Sequence, residues 1–263
     1  MSRVPQGVED WRIALRPRDR WCALDLGWPM ARRWARPLYL IWMASSLPAL
    51  ALIAWFLHDQ PVWAGFSIWL IKPVLDRPLL VALSELLPGR PANARNLLRW
   101  YGAGLRAALE PNVLWHLSVG RILEPSRALI NPVLQLEGLR GPALWARLRL
   151  IRNGEQVVAR NLTLSCALFE LILVLGQFML VLLFLPLQGA DGLLDVLLEA
   201  FSSVGIASLL ICWLAISVVE PVYVCAGFAQ YLNRRSTLEG WDLELGLRAL
   251  QRRLQLHHSG ASR

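Results

Sequence analysis

Few residues of this chain could do chemistry, and three of them sit in apolar surroundings. Glu170 is the one charge in the run from Leu162 to Leu187. An ionisable group there could relay protons, bind an ion, or fasten one helix to another as a protonated or paired carboxyl. Glu220 is the one charge between Ala200 and Asn233, and Pro221 follows it. A helical proline lacks the N–H that would bond the carbonyl four residues earlier, here that of Ser217. Glu220 and Ser217 could therefore coordinate a cation, or mark a polar kink. Lys72, the only lysine, would neutralise either acid if it turned inward.

Other chemistries lack their residue patterns. Cys22, Cys166, Cys212 and Cys225 share no CxxC spacing, and three of them lie in apolar runs, where thiols act as small hydrophobes. His58 and His116 stand far apart, and His257 and His258 form a tail pair without an HExxH frame, so neither metal nor cofactor is expected. Serines 45–46 and 202–203 lack a nucleophile elbow, and no nucleotide-binding loop occurs. The chain reads as non-enzymatic.

The elements that position these groups follow from composition. Of 263 residues, 56% are hydrophobic and 17% charged, with a mean hydropathy of +0.42. That is too apolar for a soluble domain and far too apolar for disorder. The net charge of +8 comes from 27 basic residues against 19 acids. No zinc spacing or RNP-like motif accompanies it, so nucleic acid is not the expected partner. The arginines flank the hydrophobic runs, where they attract anionic headgroups and set topology.

Four crossings are expected in an all-α transmembrane bundle with cytoplasmic interfacial amphipathic helices. A charged segment, 1–37, precedes the first run and carries no signal-peptide pattern, so the first span should serve as anchor. Residues 38–57 hold no charge and would extend about 30 Å, one hydrocarbon thickness. Trp42 and Trp55 lie where an aromatic belt would place them. The second run is short, Val62 to about Leu75, with Lys72 snorkelling toward water, which makes 38–75 a hairpin. The alternative is a helix continuing to Leu87 that buries Lys72 and Asp76 four residues apart, at a cost of several kcal/mol unless they are matched.

Residues 76–161 form an arginine-rich segment broken by Pro91, Pro111, Pro125, Pro132 and Pro142. In Asn93–Leu109, Arg95, Arg99 and Arg106 share one side, and Leu98, Tyr101, Leu105 and Leu109 another. In 142–152, Arg147, Arg149 and Arg152 alternate with Leu144, Trp145 and Leu148. These six arginines are the candidates to face lipid or a protein partner. Trp28, Trp34, Trp100, Trp115, Trp145 and Trp241 read as interfacial anchors. Residues 162–233 supply the second transmembrane pair around an acidic loop, 188–199, with the last helix broken at Pro221. Ser236 and Glu239 have capping-box spacing, so 234–263 should open a new amphipathic helix with Leu243, Leu247, Leu250 and Leu254 in one stripe.

Charge sorting orients the chain. Residues 1–37 carry eight lysines and arginines, 72–162 thirteen and 229–263 six, whereas 58–61 and 188–199 carry none. Four crossings put every basic residue on one side, which the positive-inside rule makes cytoplasmic, together with both termini.

Four pieces carry a resemblance: WPMARRWARP at Trp28–Pro37, KPVLDR at Lys72–Arg77, QLEGLRG at Gln135–Gly141, and Glu220–Glu244, EPVYVCAGFAQYLNRRSTLEGWDLE. With them the chain resembles a group of uncharacterised bacterial inner-membrane proteins. The last piece also looks loosely like the end of the membrane domain attached to glycerophosphodiester phosphodiesterases. The resemblance implies an accessory protein of the bacterial inner membrane, encoded beside an AAA+ ATPase. The expected function is a scaffold or accessory subunit contacting membrane lipids and a cytoplasmic or membrane protein. The alternative is a transporter or channel component using Glu170 and Glu220.

Overall fold

Apolar stretches removed from water must satisfy their own backbone groups, and an α-helix does so within one segment. Every regular element is an α-helix among the residues described by the computed structural model, which are 18–109, 126–182 and 206–240. The order is α1 (Arg20–Asp25), α2 (Gly27–Arg33), α3 (Ala35–Phe56), α4 (Pro61–Leu86), α5 (Ala94–Ala108), α6 (Arg127–Leu136), α7 (Gly141–Arg152), α8 (Gln156–Leu182) and α9 (Ala207–Glu239). Local chemistry sets their starts. The side chain of Asp19 accepts the Trp21 N–H at 3.1 Å before α1, and that of Asn93 accepts the Asn96 N–H at 2.9 Å before α5. Prolines occupy the first turns of α4 and α7, where no partner is needed for their missing N–H.

Three of these helices are long and apolar enough to cross a membrane: α3, α8 and α9. They differ in what surrounds them. Only 11% of the most apolar stretch of α8 is buried, and Leu168, Phe169, Leu171 and Ile172 point outward. In α9 the figure is 67%, because this helix is the central post. It packs against α1, α2, α3, α4, α6, α7 and α8. Close approach is possible because two of its neighbours meet it at glycine. Gly27 of α2 lies against the Ala226 backbone, and Gly227 lies against the Ala128 carbonyl of α6.

Several expectations require correction. The second helix does not stop near Leu75. α4 runs unbroken through Pro73 and Pro78 to Leu86, burying Lys72 and Asp76. Lys72 does not snorkel, because carboxylates on other helices meet it inside. α9 is likewise continuous through Pro221, and Ser236 and Glu239 lie in its last turn instead of opening a new helix. Gly240, at φ 63°, ends it in the left-handed conformation that glycine adopts without penalty. Pro132 lies inside α6 and breaks nothing. α8 starts at Gln156, ahead of the apolar run that begins at Leu162.

Trp34, Trp42 and Trp100 are core residues, not interfacial anchors, whereas Trp28, Trp55 and Trp145 are exposed. Leu98 and Leu109 of the expected apolar face are also exposed. α5 packs instead through Trp100, Gly104 and Ala108, with Gly104 against Pro78 of α4. Helix periodicity names a face, but the partner decides which part of it is covered. The acidic loop 188–199, the leucine stripe 243–254, Trp115, Trp241, His116 and the His257–His258 pair lie outside the described residues.

Candidate functional site

Lys72, Glu170 and Glu220 come from three different helices and meet. The Lys72 ammonium is ion-paired with both carboxylates, and it donates a hydrogen bond to Glu170 Oε1. All three side chains are at least nine-tenths buried. Lys72 is eleven residues into α4, Glu220 thirteen into α9, and Glu170 twelve before the end of α8. At about 1.5 Å per residue, each lies about 16–20 Å from its helix end, and those three ends point the same way. Burying one such charge alone is costly, and the ammonium offsets one of the two carboxylates, leaving the other to be balanced by groups around the triad.

A second layer surrounds this triad. The Tyr223 ring lies 5.8 Å from Lys72 Nζ and 5.6 Å from the Arg127 guanidinium, measured to its centroid. Arg127 Nε donates to Tyr223 Oη at 3.0 Å, and Thr163 Oγ1 lies 3.3 Å from the same oxygen. Arg77, fully buried, donates to the Asn131 side-chain oxygen at 3.2 Å, while Gln135 donates to the Arg77 carbonyl at 2.9 Å. Asp76 acts electrostatically on Lys72, Arg77 and Arg127 alike. Three basic side chains thus stand against three acidic ones.

Ser217 does not join it. Its hydroxyl accepts from Trp42 Nε1 at 2.8 Å and donates to the Trp213 carbonyl at 2.8 Å, which ties α3 to α9. The cation beside Glu220 is the protein's own Lys72. Among the described residues no three His, Cys, Asp or Glu side chains converge as metal ligands.

The candidate arginines separate into two groups. Arg95, Arg106 and Arg149 are exposed, Arg152 is half-buried, and Arg99 is exposed with Glu85 3.9 Å away. Arg147 belongs instead to an internal network at the opposite end of the bundle from Pro61, Leu182 and Ala207. It reaches Glu137 through Nε at 2.6 Å and Nη2 at 3.0 Å, and Glu239 at 2.5 Å. Arg235 also holds Glu239, at 2.9 Å, and Tyr231 donates to Glu137 at 3.0 Å. Burial acts to lower the Arg147 pKa, but hydrogen bonds to Glu137 and Glu239 and their charges outweigh it and hold the pKa above its usual range. Arg147→Gln is expected to cost about 2 kcal/mol, because two mostly buried carboxylates lose their shared donor. Arg147→Lys should recover only part of this, since an ammonium cannot form the two-pronged bond. Thermal unfolding in detergent measures both, and equal midpoints for all three proteins would remove the network from the account of stability.

The same end joins segments far apart in the chain. The Asn233 side chain accepts the Arg18 N–H at 2.9 Å and donates to the Arg18 carbonyl at 3.1 Å. Arg20 pairs with the buried Glu155 at 3.3 Å, and Gln230 donates to that carboxylate at 3.1 Å. Comparison of the chain with family models, curated proteins and solved structures finds no match.

Sequence reasoning named Glu170, Glu220 and Lys72, and placed Asp76 beside Lys72 only in the longer-helix alternative; it missed Arg77, Arg127, Asn131 and Tyr223 as their company. One signal was available. Lys72, Arg77, Asn131 and Glu220 are all buried, and each directly precedes a proline within a helix. Each of these prolines removes an N–H from the ladder and leaves a carbonyl for other donors.

Proposed function

We propose that the chain is a multi-pass protein of the bacterial cytoplasmic membrane, crossing it four times through α3, α4, α8 and α9. It works as a non-enzymatic scaffold or accessory subunit with both termini cytoplasmic. The observation that carries the reading is the Lys72 ammonium held between Glu170 and Glu220. A buried cluster in which a side chain supplies the cation fastens three helices together without a carried ion.

Two further observations support the topology. The ends of α3 and α8 and the starts of α4 and α9 share one pole, where the neighbouring loop 58–61 has no lysine or arginine. Segments around Arg20, Arg147 and Arg235 meet at the other pole through the ion pairs described above. The resemblance to bacterial inner-membrane proteins points to an AAA+ ATPase system as the partner.

Glutamine at the two acids tests the reading. Glu170→Gln and Glu220→Gln should each leave a folded protein in the membrane and leave ion permeability of reconstituted vesicles at the level of empty ones. Wild-type vesicles that conduct an ion or solute, with conduction lost in either folded variant, would replace the scaffold with the transporter. Alkaline-phosphatase reporters fused after Asp59 should be active outside; a cytoplasmic result there overturns the topology.

A further inference from the structure

Acids and arginines are treated oppositely at the arginine-rich pole. Glu137, Glu155 and Glu239 turn inward, with side chains 8, 4 and 8% exposed, and are engaged by Arg147, Arg20 and Arg235. Arg32, Arg33, Arg36, Arg149 and Arg160 are exposed and form no ion pair with a carboxylate among the described residues. Asp19 and Asp25, the exposed acids of that pole among the described residues, lie beside and within α1. Among the described residues, the outward face of this pole therefore carries arginine in excess of acid.

Tryptophan is interleaved with that charge in a repeated unit. Trp28 and Arg32 are four residues apart on α2, and so are Trp145 and Arg149 on α7, which puts each pair on one face. Both tryptophans are half-exposed or more, at 58 and 52%. Each short helix leads directly into a long apolar one, α2 into α3 and α7 into α8, and a further exposed arginine follows on it, Arg36 or Arg160. An indole settles at the level of lipid carbonyls, and a guanidinium beside it reaches the phosphates.

We propose that these two units form a collar that selects anionic glycerophospholipid, with Arg32, Arg36, Arg149 and Arg160 on the headgroup phosphates and Trp28 and Trp145 between the headgroups. The occupant is lipid, not nucleic acid or an acidic protein, because each unit stands at the foot of an apolar helix and pairs its charge with an exposed indole. The inference rests on the membrane-resident reading above.

The test uses the purified full chain in detergent micelles containing equimolar phosphatidylglycerol and phosphatidylcholine, with bound lipid extracted after gel filtration and weighed by mass spectrometry. Phosphatidylglycerol should be enriched about fivefold over phosphatidylcholine, and the enrichment should fall as salt is raised. Replacing Arg32, Arg36, Arg149 and Arg160 together by glutamine should abolish it, and replacing them by lysine should keep most of it. Equal binding of the two lipids by the wild type overturns the collar even if the glutamine variant fails to fold. So does an unchanged preference in a folded glutamine variant, or a variant that loses bound nucleic acid or acidic protein but not phosphatidylglycerol. A chain that stays helical and monomeric without detergent or lipid would instead overturn the membrane reading itself.

Discussion

Lys72→Met should be among the most damaging single substitutions in this protein. Methionine fills similar volume, so packing alone predicts a small effect. The charge does not allow one. Removing the ammonium leaves Glu170 and Glu220 facing each other at the junction of α4, α8 and α9, both buried and without their cation. Breaking a buried ion pair by deleting one partner costs about 3–5 kcal/mol. Protonating a carboxyl lowers that cost without restoring the link between helices. The expected result is loss of most folded protein from membranes and a much lower unfolding midpoint for what remains. The triple variant Lys72→Met, Glu170→Gln, Glu220→Gln separates charge from shape. It leaves no orphan among these three sites and should regain most of the stability, as neutral replacements of buried ion pairs commonly do. A triple variant as unstable as Lys72→Met would mean that the ammonium matters through contacts other than these two acids.

The same cluster shows how much could be read from sequence. The all-helical class, the apolar helices and the unusual position of Glu170 and Glu220 follow from residue type and spacing alone. The course of α4 did not. A run containing Lys72, Asp76 and Arg77 looks like the end of a span when each charge is assessed by itself, because isolated burial is unfavourable. Burial becomes tolerable only when the partners are counted, and Glu170, Glu220 and Arg127 arrive from about 50 to 150 residues away in the chain. Periodicity carries no information about such pairing. Pro221 misled for a related reason. A proline removes one bond from a helix, but a helix packed on several sides, as α9 is here, stays continuous through the loss.

Arginine placement divides along the same line. The sorting of basic residues between loops is visible in the sequence and is independent of packing. Which arginines remain outside depends on where the acids go. Arg147 and Arg149 are two residues apart and look equivalent in the pattern, yet one lies between Glu137 and Glu239 and the other faces outward. On a helix a separation of two residues turns a side chain by about 200°, so one of the pair faces inward whenever the other faces out.

Gly227→Ala should be the second large loss, and it tests packing instead of charge. Pro132 deprives the Ala128 carbonyl of its helical donor, and Gly227 of α9 approaches that carbonyl. A Cβ on residue 227 would lie 2.5 Å from the Ala128 oxygen and 2.9 Å from its carbonyl carbon. Both are backbone atoms, so no rotamer change relieves the clash, and α6 and α9 must separate. Such overpacking costs about 1–3 kcal/mol, more where backbone has to move. The separation would also disturb Arg127, which α6 supplies to Tyr223. Gly176→Ala is the matched control. Gly176 lies within α8 with nothing near the position of an added Cβ. Alanine there should be neutral or stabilising by up to about 1 kcal/mol, from its better helix propensity. Heating the two variants side by side in the same detergent should therefore give opposite shifts in midpoint. A Gly227→Ala protein that melts with the wild type would mean that α6 does not sit this close to α9, and with it the placement of Arg127 beside the central cluster would fall.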